Sequence, residues 1–157
     1  MGLEPGRFLI MSAEILRQGQ DLHCRTLGSS MFPLIPYRSL IHVEPVTPDQ
    51  LRPGDVILYR SGEVLVAHRL LRKETETGTP VLITRGDAFP WRATERLAPE
   101  QVLGKVVTIE WRGGPKLRID RNPGRRLGIL LAKFSPWLFP GYLALSRIKQ
   151  GLSRLFH

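Results

Sequence analysis

Two residues of this sequence could together form a nucleophile and its base. Ser30 lies in the turn-like segment GSSMFP at 28–33, and His68 lies in the apolar run 63–73. A serine hydroxyl attacks a carbonyl at neutral pH when a neighbouring base accepts its proton, and imidazole suits this role because its unperturbed pKa is near 6.5. A glycine-containing turn can also point backbone N–H groups at the developing oxyanion. The chemistry that these residues suggest is nucleophilic attack on a carbonyl.

Both residues also have an ordinary structural interpretation. Gly-Ser-Ser is a frequent solvated turn, and a single histidine on a strand is commonly a half-buried, hydrogen-bonded residue. The other histidines are scattered without the spacing of metal ligands, so we expect neither a zinc site nor a cofactor; they are His23, His42 and His157. Cys24 is the only cysteine, which excludes an intrachain disulfide, and we interpret it as a small core residue beside the turn.

The elements that position Ser30 and His68 are predicted to be mainly strands. The 157 residues include 13 prolines and 15 glycines, which divide the chain into short apolar runs and favour a turn-rich β fold. Apolar spacing predicts a short helix over 8–17. Strands are predicted over 22–27, 39–44, 56–60, 63–73, 81–85, 101–111 and 115–119. His68 therefore lies within a strand, on the face that it shares with Val64 and Val66.

The net charge of +9 is confined to the C-terminal part of the chain. Residues 1–111 contain 13 basic and 13 acidic side chains, whereas residues 112–157 contain ten basic side chains and one acidic one, Asp120. Any attraction to an acidic partner therefore belongs to this tail. The N-terminus shows neither the pattern of a signal peptide nor an apolar run long enough for a spanning helix.

The tail combines an apolar stretch with basic residues. The stretch 127–145 is apolar but interrupted, so a continuous spanning helix is not expected; the interrupting residues are Pro136, Pro140 and Gly141. Residues 145–156 have the spacing of a basic amphipathic helix. This composition predicts a membrane-interface element over 121–157. The alternatives are packing on the sheet as a helical hairpin, and nucleic-acid binding, which the apolar content disfavours.

Five segments resemble, in the same order, the sequence boxes of the signal peptidase I and SOS-repressor peptidase families. Together they span about residues 22–108. The segments, each with the box to which it is similar, are GSSMFP at 28–33 (Gly-x-Ser-Met-x-Pro), LRPGDV at 51–56 (Leu-x-x-Gly-Asp-Val), VAHRL at 66–70 (the general-base box), TRGDA at 84–88 (Thr-Lys-Gly-Asp-Asn) and VLGKV at 102–106 (Val-x-Gly-Lys/Arg-Val).

The resemblance implies an antiparallel β peptidase fold with Ser30 as nucleophile and His68 as general base. Bacterial signal peptidases and the SOS-type peptidases have a lysine where this chain has His68. Signal peptidases of the endoplasmic reticulum, archaea and some spore-forming bacteria usually have His-Arg there, which the pair His68-Arg69 matches. By the same resemblance, Asp87 is a candidate third catalytic residue. The residues expected to shape the oxyanion site and the substrate cleft are Ser29, Met31 and Pro33.

One departure from the family leaves the third catalytic residue open. Relatives with a histidine base often carry an aspartate about six residues beyond the Gly-Asp of the fourth box, where this chain has Ala93. Either Asp87 orients His68, or Glu95 does, or the site is a dyad. Asp87 has the further interpretation of a turn residue whose carboxylate caps backbone N–H groups.

These expectations define three regions and two classes of function. The regions are an N-terminal helix packed on the core (1–21), a β peptidase core (22–119) and the basic, apolar tail (120–157). The expected function is cleavage of leader or signal segments of exported peptides, bound along a strand edge. The protein is expected at a membrane, or in the cytoplasm if the tail packs on the core. The alternatives are a catalytically degenerate binding module and a self-cleaving regulator, for which 1–21 is too short to supply a DNA-binding domain.

Overall fold

A computed structural model describes residues 4–138 of the chain, without the side chains of Pro5 and of residues 135–138. Within this range the protein is mainly β, with eight strands and two α-helices. Their bounds are α1 Pro5–Arg17, β1 Leu22–Arg25, β2 Leu40–Glu44, β3 Val56–Ser61, β4 Val64–Glu76, β5 Thr79–Arg85, β6 Glu95–Leu97, β7 Val102–Glu110, β8 Lys116–Arg118 and α2 Gly124–Leu138.

The eight strands form one curled antiparallel sheet. Their order is β1-β2-β7-β3-β4-β5-β6, and β8 pairs with the end of β7. The register shifts by a residue in three of the pairs, β2–β7, β3–β7 and β4–β5. Such bulges bend a strand and increase its twist, which lets a sheet curl and enclose a core on its concave side.

The central strand β3 is buried on both faces, because the sheet carries an apolar cluster on each side. Val56 and Leu58 belong to one cluster, together with Leu16 of α1, whereas Ile57 and Tyr59 belong to the other. Consecutive side chains of a strand point to opposite faces. A strand between two apolar clusters therefore carries apolar side chains on both faces and shows no alternation of polar and apolar residues. This explains the uninterrupted apolar run VILY, in which no side chain is more than 3% exposed.

The predicted mainly β class, the N-terminal helix and the predicted strands are confirmed, with shifted ends. Helix α1 begins at Pro5, since proline is favoured in the first turn of a helix, where its missing N–H has no intrahelical partner. Strand β4 continues beyond its predicted end to Glu76. Strand β6 was not predicted: its three residues ERL lack a strand pattern, and pairing of Leu97 with Leu82 of β5 defines it.

The first part of the tail, helix α2, packs on the core. It passes through Pro136, which has no N–H to donate to the carbonyl of Ala132, four residues earlier. That carbonyl instead accepts a hydrogen bond from Arg85 Nη2 at 3.1 Å. At the start of the helix, the Arg125 guanidinium donates to the carbonyl of Pro53. Hydrogen bonds from Arg85 and Arg125 to backbone carbonyls thus join α2 to the core.

The opposite face of α2 is apolar and exposed. Leu127, Leu130 and Phe134 are 45%, 52% and 54% exposed, and they lie at helical spacing. None of the described helices is long and apolar enough to cross a membrane. The predicted amphipathic helix at 145–156 lies outside the described residues.

Candidate active site

The loop that carries Ser30 is anchored in the core. It turns through a hydrogen bond from Phe32 N–H to the Ser29 carbonyl at 3.1 Å. Met31 is 4% exposed and packs in the cluster on the α1 side of the sheet, while Ser29 and Pro33 are half-buried. The peptide bond between Phe32 and Pro33 is cis. The buried side chain of Met31 therefore anchors the loop in the core, and Ser30 directly precedes this anchor.

A second contact joins the loop to the turn after β5. The carbonyl of Ser30 accepts a hydrogen bond from the N–H of Ala88 at 2.9 Å. Within residues 4–138, no hydrogen bond engages the N–H of Ser30, so this group is available to an oxyanion. The bond to Ala88 therefore fixes the Ser30 carbonyl against the turn after β5.

His68 approaches this loop across Gly86. Its side chain is 3% exposed, and its strand register places it opposite Ile57 of β3. The ideal Cβ position of Gly86 lies 2.7 Å from the Ser30 carbonyl oxygen and 3.1 Å from His68 Nε2. No side chain fits there, so glycine is required for the loop and the imidazole to lie side by side. Among the described contacts, no hydrogen bond joins the Ser30 hydroxyl to the imidazole.

The other imidazole nitrogen of His68 is held by Tyr59 and Glu95. The Tyr59 hydroxyl lies 3.0 Å from His68 Nδ1 and donates its proton to the Glu95 carboxylate. Glu95 Oε1 itself lies 3.6 Å from Nδ1. Because the hydroxyl has one proton, which goes to Glu95, its oxygen accepts from His68 Nδ1–H. This network assigns the proton to Nδ1 and leaves the Nε2 lone pair facing Gly86 and the serine loop.

The electrostatics of the site favour a neutral imidazole and a neutral phenol. Burial lowers the pKa of His68, and the charge of Glu95 opposes this effect. Burial and the hydrogen bond to Glu95 raise the pKa of Tyr59 well above its usual value. His68 is therefore unprotonated at Nε2 at neutral pH, as a base must be, and Tyr59 remains a donor.

Asp87, the predicted helper, makes a buried ion pair with Arg69. Arg69 donates from Nε and Nη2 to the two carboxylate oxygens at 2.8 and 2.5 Å, and both residues are almost fully buried. Burial raises the pKa of Asp87, and the charge and hydrogen bonds of Arg69 oppose the shift. The predicted catalytic role of Asp87 stays a prediction. Glu95, the alternative, is the carboxylate found beside Nδ1.

Tyr59 is the site residue that the sequence reasoning missed. The hairpin turn at 62–63 pairs Ser61 with Val64, which places Ile57 opposite His68 and Tyr59 opposite Val66. Tyr59 and His68 are therefore diagonal neighbours on one face of the β3–β4 pair. The predicted strands leave 61–62 as the turn, and counting outward from it gives a register two residues away from the observed one, so the sequence prediction did not reveal this proximity.

An apolar cavity of about 680 Å³ opens beside Ser30. Its walls come mainly from β1 with the following loop, from α1, from β3 and from the start of β4; they include Phe8, Cys24, Ser30, Met31, Leu58 and Val66. Burial raises the pKa of the Cys24 thiol to about 11, so Cys24 contributes an apolar wall rather than a thiolate.

The start of β4 presents an unpaired strand edge to this cavity. Strand β5 pairs with β4 from Arg69 onward, whereas, within residues 4–138, residues 64–68 pair with β3 alone. The backbone groups on the other side of residues 64–68 can therefore pair with an extended peptide.

The site combines the loop that carries Ser30, the neutral imidazole of His68, the available N–H of Ser30 and the adjacent apolar cavity. This combination can support acyl transfer from a peptide carbonyl. No protein-family model and no curated protein matches the chain. The functional interpretation therefore rests on the geometry of the site and on the motifs.

Replacement of Asp87 by asparagine is expected to destabilise the fold rather than only the chemistry. Asp87→Asn leaves the Arg69 guanidinium buried without its counter-charge, which should lower the free energy of unfolding by about 3–5 kcal/mol. Urea unfolding measures this change. The exposed Asp49 provides the control, and Asp49→Asn should stay within about 0.5 kcal/mol of the wild type. Equal unfolding midpoints for both variants would contradict the structural role.

Proposed function

We propose that this chain is a serine endopeptidase of the signal-peptidase type, with Ser30 as nucleophile and His68 as general base. The observation that carries the proposal is the approach of His68 Nε2 and the Ser30 loop across Gly86. The hydrogen bond at Nδ1 supports it, because this bond leaves Nε2 as the proton acceptor. The five ordered segments that resemble the family's boxes support it independently.

In the proposed mechanism, His68 Nε2 accepts the Ser30 hydroxyl proton as Oγ bonds to the scissile carbonyl carbon. The oxyanion is stabilised by the N–H of Ser30. The imidazolium then donates its proton to the leaving amine as the C–N bond breaks, which leaves an acyl-serine. Water attacks this ester with His68 again as base, and the acid product leaves. Tyr59 and Glu95 orient the imidazole and stabilise its charged form.

The proposed substrate is an extended peptide with small or apolar side chains near the scissile bond. Its backbone would pair with the open edge of residues 64–68, which places it beside Ser30. The cavity has apolar walls, which favour burial of such side chains. Leader or signal segments of exported peptides have this chemistry.

The central test is cleavage of leader peptides by the purified full chain. Ser30→Ala and His68→Ala remove the nucleophile and the base, and each is expected to lower kcat/KM by roughly 10³-fold or more. Ser61→Ala, at the exposed end of β3, is the matched control and should retain wild-type activity. Turnover that persists in both active-site variants would contradict the mechanism. Peptide binding without turnover by the wild type would favour the degenerate binding module.

The role of Glu95 is tested by the pH dependence of cleavage. Activity requires neutral His68, so kcat/KM should fall as the pH is lowered through the pKa of His68. Because the Glu95 charge raises this pKa, Glu95→Gln should move the acidic limb of the profile to lower pH and lower kcat roughly tenfold. The exposed Glu100 provides the control variant Glu100→Gln. An acidic limb unchanged by Glu95→Gln would exclude the orienting role.

We further propose that the basic tail brings the protein to anionic membrane surfaces. The exposed residues Leu127, Leu130 and Phe134 of α2 form an apolar stripe, and Arg126 and Lys133 beside it are exposed cations. Apolar insertion and cation attraction together give interfacial binding.

Vesicle flotation tests the membrane proposal. The full chain should float with vesicles that contain phosphatidylserine and remain soluble with pure phosphatidylcholine. The double variant Leu130→Asp/Phe134→Asp should lose most of this binding, because it places charges on the exposed stripe. Ile10→Asp, on an exposed position of α1, is the matched control and should float like the wild type. A wild-type chain that stays soluble with the anionic vesicles would contradict the proposal.

A further inference from the structure

The outer face of the β1–β2 pair brings together side chains that are distant in the sequence. His23 of β1 lies directly opposite His42 of β2, and Leu22 lies opposite Val43. Alternate residues of a strand share a face, so Asp21 and Glu44 lie next to the two histidines, on the side away from the core. The sequence spacing of these residues has no metal-ligand pattern, because only strand pairing joins them.

The donor atoms of three of these residues converge. His42 Nε2 lies 2.8 Å from Asp21 Oδ2, and the ligand atoms of Asp21, His42 and Glu44 all lie within 4.8 Å of one another. The ring of His23 stacks on that of His42, with centroids 4.2 Å apart and planes 12° apart. This stacking orients the His42 ring toward the carboxylates.

Two carboxylates meet here on adjacent strands, and the cations next to Glu44 come from the neighbouring strands β7 and β8 rather than from between the carboxylates. The guanidinium of Arg118 lies 3.9 Å from Glu44 and also donates to Asp120 at 2.8 Å. Lys105 is the strand partner of Glu44 on β7. Like charges on adjacent strands destabilise the pairing unless a cation lies between them. The cluster therefore favours binding of a cation by oxygen and nitrogen ligands.

We propose that Asp21, His42 and Glu44 bind a divalent transition-metal ion of the zinc type. Zinc takes imidazole nitrogen and carboxylate oxygen at about 2.0–2.2 Å, with its ligands about 3.3 Å apart in a tetrahedron. Asp21 and His42 are already close to that separation. The Glu44 side chain is 41% exposed, so a rotation of this side chain completes the set. Water would occupy the fourth position.

Binding of the ion ties β1 to β2 next to the cleft. Strand β1 lies at the edge of the sheet, and Cys24 and His23 also line the apolar cavity. A metal bridge between the two strands would hold this wall of the cavity in place. The site uses neither Ser30 nor His68, so it is independent of the proposed peptidase mechanism.

Isothermal titration of the full chain with zinc chloride at pH 7.5 tests the proposal. The wild type should bind one ion, and His42→Gln or Glu44→Gln should weaken binding roughly 100-fold. His23→Phe keeps the stacked ring without a nitrogen ligand and should retain the affinity. His157→Gln, which removes the C-terminal imidazole, should also behave like the wild type. Zinc should raise the Tm of the wild type and of both controls by a few degrees, but not that of His42→Gln.

Two results would overturn the metal site. One is the absence of zinc binding by the wild type at concentrations up to about 1 mM, which corresponds to a binding free energy weaker than about −4 kcal/mol. The other is unchanged affinity in both His42→Gln and Glu44→Gln. The circular dichroism of each variant confirms that it is folded. Loss of peptidase activity has no bearing on this test, because the readouts are heat of binding and Tm.

Discussion

Arg69 and Asp87 form a buried, bidentate ion pair that joins β4 to the turn after β5. Two charges removed from water are stable only with good geometry and satisfied hydrogen bonds, and Arg69 uses a further donor on the Gly54 carbonyl. His68 directly precedes Arg69, and Ala88, which binds the Ser30 carbonyl, directly follows Asp87. The ion pair therefore fixes His68 and the serine loop through adjacent residues of the same two segments.

Asp87 and Glu95, the two candidate carboxylate partners of His68, differ in solvent exposure, and this difference suits them to different tasks. Asp87 is fully buried, so it needs Arg69 as a permanent partner. The side chain of Glu95 is 44% exposed, and it reaches His68 through the buried Tyr59 hydroxyl. A desolvated imidazole alone is a weak base, since burial disfavours its charged form. A carboxylate near Nδ1 offsets part of this loss while solvent still moderates its charge, which keeps the imidazole neutral but basic.

Much of the fold could be predicted from the sequence, because hydrophobic period and turn residues are local signals. The hairpin of β3 and β4 is an example, although its turn lies at 62–63 rather than in the gap at 61–62 between the predicted strands. The sequence does not indicate which strands pair with each other in the sheet. The short strand β6, which carries Glu95, has no pattern of its own, and its place depends on pairing with β5. The third member of the site was therefore left open among several candidates.

A single chain reversal after β5 accounts for three features of the candidate site. Strand β5 ends at Arg85, so the preceding part of β4, residues 64–68, has an open edge. The reversal needs Gly86, the residue across which His68 and the Ser30 loop approach each other. It also positions Asp87 for its pair with Arg69. A longer β5 would cover the open edge of residues 64–68 and at the same time displace the serine loop, because that loop is held by Ala88. The exposure of this edge and the placement of Ser30 are thus set by the same constraint.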